Sequence, residues 1–313
     1  MNKTTIVYKL LLGLLFFIVS DNLFSQNIFI IPLGIAQDGG YPQAGCKNKC
    51  CKDAWLALSK QKMISSLALV DSTKNCAWLF DCTPDFAKQW QLLKEKTNSS
   101  IKLAGIFLTH AHIGHYTGLM QLGKEVMNEK KIKVYAMPRM KKFLENNGPW
   151  SQLVKIKNIE IELLQNETAV KLTDEISVIP MLVPHRDEYS ETVGFKIQAK
   201  SKSALYIPDI DKWELWNKNI LDELAKVDFA FLDATFYSAD ELPGRNMKEI
   251  PHPLVIETAI LFRQLNSSTT TKIYLTHFNH TNPLLDIESM KEKFFIFESG
   301  LQLTIQGEII NLD

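Results

Sequence analysis

Gly105-Ile106-Phe107-Leu108-Thr109-His110-Ala111-His112-Ile113-Gly114-His115-Tyr116-Thr117-Gly118-Leu119 runs from an apolar, strand-like segment straight into three histidines. On an extended chain, residues two apart point the same way, so His110 and His112 can face one cation. His115, at the start of a helical pattern, approaches from beside them, and imidazole nitrogen is a common ligand for zinc. All seven histidines fall in four places: this run, then His185, His252, and His277 with His280. All but His252 follow or abut an expected strand end, where loops hold functional side chains above a rigid sheet.

Outward from this run, short apolar segments alternate with amphipathic ones, without repeats. Strands are expected over 28–33, 67–71, 77–81, 104–108, 133–136, 159–164, 176–183, 192–197, 204–207, 229–232, 272–275 and 301–305. Helices are expected over 84–95, 116–125, 140–146, 213–225, 253–264 and 284–294. Many strands interleaved with fewer helices predict two sheets packed face to face with helices outside. With 46% hydrophobic and 22% charged residues, disorder is excluded as the main state. Thirty-five Lys plus Arg balance thirty-five Asp plus Glu, so no global positive field exists to capture nucleic acid.

The histidine run resembles the His-x-His-x-Asp-His signature of the metallo-β-lactamase superfamily. The resemblance continues in that family's order with His185 beyond the strand ending at Val183, Asp209 in Ile207-Pro208-Asp209, and His277 in Tyr274-Leu275-Thr276-His277. It implies an α+β fold, an αββα sandwich of two mixed sheets flanked by helices. It further implies a first metal on His110, His112 and His185 with an open position, and a second on His115, Asp209 and His277, with Asp209 bridging the two. Where the superfamily has Asp, this chain has Gly114, which offers no ligand. The second metal is then expected to be held more weakly, because fewer carboxylates neutralise two cations. Restoring the acid by Gly114→Asp is expected to raise metal binding. A mononuclear enzyme and a degenerate one both fit this pattern.

Leu33-Gly34-Ile35-Ala36-Gln37-Asp38-Gly39-Gly40-Tyr41-Pro42-Gln43-Ala44-Gly45-Cys46 looks like the amino end of the pyrroloquinoline quinone biosynthesis protein B family. Phe80-Asp81-Cys82-Thr83-Pro84-Asp85 and Leu232-Asp233-Ala234-Thr235, followed by Glu241 and His252, look like further pieces of it. The related phosphodiesterases of phosphonate catabolism hold a structural zinc with three amino-terminal cysteines and a histidine just beyond the last catalytic one. That resemblance implies a closed Cys₃His site of Cys46, Cys50, Cys51 and His280, tying the amino-terminal loop to the last strand. Adjacent Cys50 and Cys51 direct their sulfurs to different sides unless the backbone turns, so a site using one of the pair is also open. So is a disulfide from this loop to Cys76 or Cys82. These last two are too far apart on an extended chain to bridge each other, and otherwise read as buried thiols. Asp81 either orients a ligating imidazole or ends a strand. His252, between Pro251 and Pro253, lines the substrate cavity in one reading and caps or fills the core in another.

Residues 1–25 set Lys3 and Lys9 before an apolar run over 10–19 and close on Leu23-Phe24-Ser25, the order of a signal peptide cleaved after Ser25. That run spans about 15 Å as a helix, short of a bilayer core of about 30 Å. The mature chain, 26–313, is expected to be one domain, without stable membrane insertion and periplasmic or secreted. The leading functional expectation is a zinc-dependent hydrolase acting on a small-molecule ester, phosphodiester or amide. It would use one or two ions at the catalytic site and one structural ion, with Asp209 and His252 as catalytic groups. The competing readings are a cofactor-maturation oxidoreductase, as the second resemblance implies, a periplasmic β-lactamase, and a non-catalytic metal-binding module. The first of these sits poorly with an export signal, and that family's own metal motif departs from the histidine-rich one here.

Overall fold

The central strands of this chain form where apolar residues run with little interruption, because such runs are buried on both faces, as in Ile28–Gly34, Ser66–Asp71 and Phe229–Asp233. The computed structural model describes residues 27–246, 249–265, 269–286 and 288–313; the expected signal peptide lies outside the described residues. In chain order the strands are β1 (Ile28–Gly34), β2 (Ser66–Asp71), β3 (Cys76–Phe80), β4 (Lys102–Phe107), β5 (Ile132–Ala136), β6 (Ile159–Leu163), β7 (Val170–Lys171), β8 (Ser177–Leu182), β9 (Val193–Gln198), β10 (Ser203–Ile207), β11 (Phe229–Asp233), β12 (Lys272–Thr276), β13 (Leu301–Leu303) and β14 (Ile310–Asn311). The helices are α1 (Lys49–Leu56), α2 (Phe86–Lys96), α3 (Ile113–Tyr116), α4 (Pro138–Asn146), α5 (Trp150–Lys155), α6 (Ile220–Leu224), α7 (Val255–Phe262) and α8 (Met290–Glu298).

Two mixed sheets result, with strand orders β14-β1-β2-β3-β4-β5-β6 and β13-β12-β11-β10-β9-β8-β7. Each begins as an antiparallel meander and continues as a parallel run, β3 to β6 in the first and β10 to β13 in the second. Alternation along the strands sorts residues into three apolar layers. Ile28 and Ile30 of β1, Leu67 and Leu69 of β2, and Tyr206 of β10 fill the space between the sheets. Their neighbours Phe29 and Ile31, and Ala68 and Val70, face the helices outside the first sheet, while Leu205 and Ile207 face those outside the second. The chain therefore has the α+β, αββα arrangement, and among the described residues no helix is long and apolar enough to cross a membrane.

All twelve expected strands are present; the short β7 and β14 carry too few residues for a periodic signal. Three expected helices differ. Over 116–125 there is only the end of α3 and a 3₁₀ segment, Thr117–Leu122. Gly118 lies so close to the loop after β3 that an added Cβ would stand 2.1 Å from the Thr83 carbonyl oxygen. The expected helix over 213–225 breaks into a 3₁₀ turn and α6, because the Asn219 side chain accepts from Leu221 N at 2.9 Å and caps a new start. The third, over 284–294, is a 3₁₀ turn followed by α8. Helices α1 and α5 were not expected, since neither carries a long apolar stripe.

Beneath the histidine run, Phe107 stacks on Tyr135 at 4.2 Å and on Phe80 at 5.2 Å between ring centroids, and meets Phe195 edge-on. Its side chain is fully buried. Phe107→Ala is expected to cost about 3–5 kcal/mol of stability through lost burial and a cavity, measured by urea denaturation.

Candidate metal centre

The sheet ends at which parallel strands finish supply the site. Asp38 follows β1, Asp81 follows β3, and His110, His112 and His115 follow β4; His185 follows β8, Asp209 follows β10, Asp233 ends β11, and His277 follows β12. Two of these, Asp81 at φ 67° and His277 at φ 65°, are non-glycine residues in the left-handed region, a local strain that the surrounding hydrogen bonds hold in place.

Asp209 stands at the middle. Its Oδ2 lies 3.3 Å from His110 Nε2, 3.2 Å from His185 Nε2, 3.9 Å from His115 Nε2 and 4.0 Å from His277 Nε2. His112 joins through its other nitrogen: Nδ1 is 2.8 Å from His110 Nε2 and 3.2 Å from His185 Nε2. The structure thus brings His110, His112, His185 and Asp209 into one group whose potential ligand atoms all lie within 4.8 Å of each other. His115 and His277 form a second group, and its carboxylate is Asp38, 3.0 Å and 3.8 Å from their Nε2 atoms. The carboxylate expected to be missing at Gly114 thus has a counterpart from elsewhere in the chain. Asp38 was not anticipated; the available signal was the single acidic residue in the glycine-rich segment 34–46 beside a histidine motif lacking its acid.

Each imidazole is oriented by an oxygen on the nitrogen that faces away. His115 Nδ1 donates to Asp81 at 2.7 Å, and His185 Nδ1 to Asp211 at 2.9 Å. The Thr109 and Thr235 hydroxyls stand 3.0 Å and 2.9 Å from His110 Nδ1 and His277 Nδ1. Outside, His112 Nε2 is 3.0 Å from Glu188. Fixing one ring nitrogen in this way selects the tautomer and presents the other as a ligand. Asp81 therefore orients an imidazole besides ending a strand, and Asp211 and both threonines are positioning groups that no motif revealed.

The donor chemistry suits zinc, which accepts imidazole nitrogen and carboxylate oxygen together. Asp38 Oδ1, His115 Nε2, His277 Nε2 and Asp209 Oδ1 are buried and make no aligned hydrogen bond, despite their proximity. Buried polar atoms without partners are costly and call for a ligand. Burial holds His110 well below the ordinary histidine range. Burial also disfavours charge on His115 and His185, but carboxylates outweigh it: Asp81 and Asp38 hold His115 well above that range, and Asp209 and Asp211 raise His185 to about 10. An entering cation takes the place of such protons among these carboxylates.

His252 lies beside Asp209 and away from solvent, with Nδ1 2.9 Å from Asp233 Oδ2 and 3.3 Å from Asp209 Oδ1. Asp233 also accepts from Ile210 N, so one carboxylate braces both His252 and the loop carrying Asp209.

The cysteine cluster is separate. All five cysteines are free thiols. Cys46, Cys50, Cys51 and His280 form a group within 4.8 Å, with His280 Nδ1 3.6 Å from Cys50 Sγ and 3.4 Å from Cys51 Sγ. The open alternative of a disulfide to Cys76 or Cys82 is not realised. Helix α1 begins at Lys49 and supplies the backbone turn that lets adjacent Cys50 and Cys51 both face His280. Cys82 is buried as expected, whereas Cys76 is part-exposed at the start of β3.

Comparison with known proteins bears on the family and the fold. The family model described as beta-lactamase superfamily domain matches residues 78–278. Coenzyme PQQ synthesis protein B of Nitrosococcus oceani is 24% identical over 309 residues, covering 88% of this chain and 97% of that protein. The Zn(2+)-bound PqqB from Methylobacterium extorquens superposes with a TM-score of 0.73 at 21% identity, covering 91% of this chain and all of the other. A diphosphatase from the PhnP family superposes with a TM-score of 0.63 at 20% identity, covering 90% and 96%. With a match running from within β3 to just beyond His277, and the two-sheet sandwich around it, the chain belongs to the beta-lactamase superfamily and has its metallo-β-lactamase fold.

Proposed function

We propose that the protein is an exported, zinc-dependent hydrolase of a small-molecule ester, phosphodiester or amide. The observation that carries this reading is the group His110, His112, His185 and Asp209 beside Asp38, His115 and His277, seven buried or half-buried donors at one sheet end. Zinc bound there would supply Lewis acidity toward a substrate oxygen and make water nucleophilic near neutral pH. Asp209 would bridge the two positions and hold the rings in register around it. His252 would hold a proton for the departing oxygen: burial opposes its charge, but Asp233 and Asp209 raise it above the ordinary histidine range. Support for export is the charged, apolar, polar order of residues 1–25.

A second reading, the maturation of a quinone cofactor, is favoured by one observation: relatives described as coenzyme PQQ synthesis protein B align over nearly their whole length. Against it stands the histidine-rich donor set, which suits water-activating chemistry. Zinc-loaded protein offered phosphodiester, lactone, β-lactam and quinone-precursor panels separates the two. Hydrolysis of any of the first three supports the proposal, and turnover confined to the quinone precursor overturns it.

His112→Ala is expected to abolish that turnover with the fold retained, as judged by circular dichroism. His252→Ala is expected to lower kcat by about 100- to 10,000-fold with metal content unchanged, since it removes a proton donor and no proposed ligand. At the cysteine cluster, Cys51→Ser is expected to remove about one zinc per chain and lower Tm, because a structural zinc contributes folding energy; metal analysis with calorimetry checks both together.

A further inference from the structure

We propose that Asp38, carried by the loop after β1, is the metal-ligating carboxylate that the histidine run lacks at position 114, and that 114 is glycine because the Asp38 carboxylate occupies the space a side chain there would fill. This rests on the metal-centre reading above and not on hydrolysis.

Stereochemistry carries the argument. A Cβ built on Gly114 would stand 2.3 Å from Asp38 Oδ1, 2.7 Å from Asp38 Cα and 2.9 Å from Asp38 Cγ. Real Cβ atoms do not approach that closely, so the two positions compete for one volume. Within it, Asp38 Oδ1 faces His115 Nε2 at 3.0 Å and His277 Nε2 at 3.8 Å, and all three atoms are buried without an aligned hydrogen-bond partner. Three ligand atoms of the types zinc accepts, mutually within 4.8 Å, fit a shared cation.

The loop is also held at this position from both sides. Ala36 forms a bridge with Phe278, Gln37 N donates to Phe278 O at 2.8 Å, and Phe278 N donates to Ile35 O at 2.8 Å, which places Asp38 in register with His277. On the other side Cys46, Cys50 and Cys51 gather on His280, three residues beyond His277. A thiol-bound zinc there would fix the segment that delivers Asp38. The expectation that Gly114→Asp strengthens the second metal is therefore reversed: a side chain at 114 would push Asp38 away.

The test counts zinc per chain by inductively coupled plasma mass spectrometry on full-length mature protein, for wild type, Asp38→Asn and Gly114→Ala. Asp38→Asn keeps the shape and removes the charge; Gly114→Ala keeps the carboxylate and displaces it. Both are expected to hold one zinc fewer than wild type, with the three-imidazole position and the thiol cluster still loaded. A melting curve for each variant identifies failure to fold, and titration of zinc into whichever variant folds then gives the result. Wild-type zinc content in a folded Asp38→Asn, with reduced stability alone, would mean a salt bridge and overturn the proposal. So would a wild type that binds no second zinc at the histidines. Full metal loading without turnover of any substrate leaves this inference standing and counts against hydrolysis instead.

Discussion

A buried carboxylate surrounded by imidazoles is the constraint around which the rest of the molecule is arranged. Asp209 is 3% exposed, and its Oδ2 lies between 3.2 and 4.0 Å from the Nε2 atoms of four histidines. Burial raises the cost of its charge, yet the imidazoles of His185 and His252 outweigh that and hold it well below the usual carboxylate range. A charge in so dry a place survives only when compensated from several directions. That requirement explains why the ends of β4, β8, β10 and β12, drawn from both sheets, must meet at one point.

Meeting there is a matter of rigid backing. β10 and β12 are buried over nearly their whole length and β4 over its last three residues, so their ends are placed by packing, and the orienting oxygens of Asp81, Asp211, Thr109 and Thr235 then set the rings. The two left-handed residues, Asp81 and His277, sit where the chain must turn sharply out of a sheet while keeping a side chain aimed inward. Strain of this kind is retained where neighbouring contacts over-determine the conformation. For Asp81 those contacts are Thr109 N at 2.8 Å and His115 Nδ1 at 2.7 Å, and they join the loops after β3 and β4.

The amino-terminal loop adds a second layer of dependence. It crosses from the first sheet to the last histidine segment, paired at Ala36 with Phe278, and returns through a thiol cluster that gathers on His280. Two chemically different donor sets are thereby coupled through one short stretch of chain: soft thiolates suited to a closed structural ion, and imidazoles with carboxylates suited to an open one. A carboxylate that arrives on such a loop depends on the loop's anchoring in a way that one within the histidine motif would not.

The amino-acid sequence alone determined the two packed sheets, because short apolar and alternating runs have few ways to be buried and their spacing placed twelve strands. It also placed His110, His112, His115, His185 and His277 at the ends of strands, and the resemblance of the histidine run to the metallo-β-lactamase signature implied that they and Asp209 form one set. It could not determine Asp38, whose neighbours in space are seventy-seven residues away at His115 and farther still at His277. Nor could it determine that Cys50 and Cys51 face the same histidine, because α1 has only Cys51 and Ala54 buried and shows no stripe to announce a helix. Gly114 is the clearest case. In sequence it reads as a missing acid; in the fold it is the space into which another acid reaches, a fact fixed by the approach of two loops and by nothing local to either.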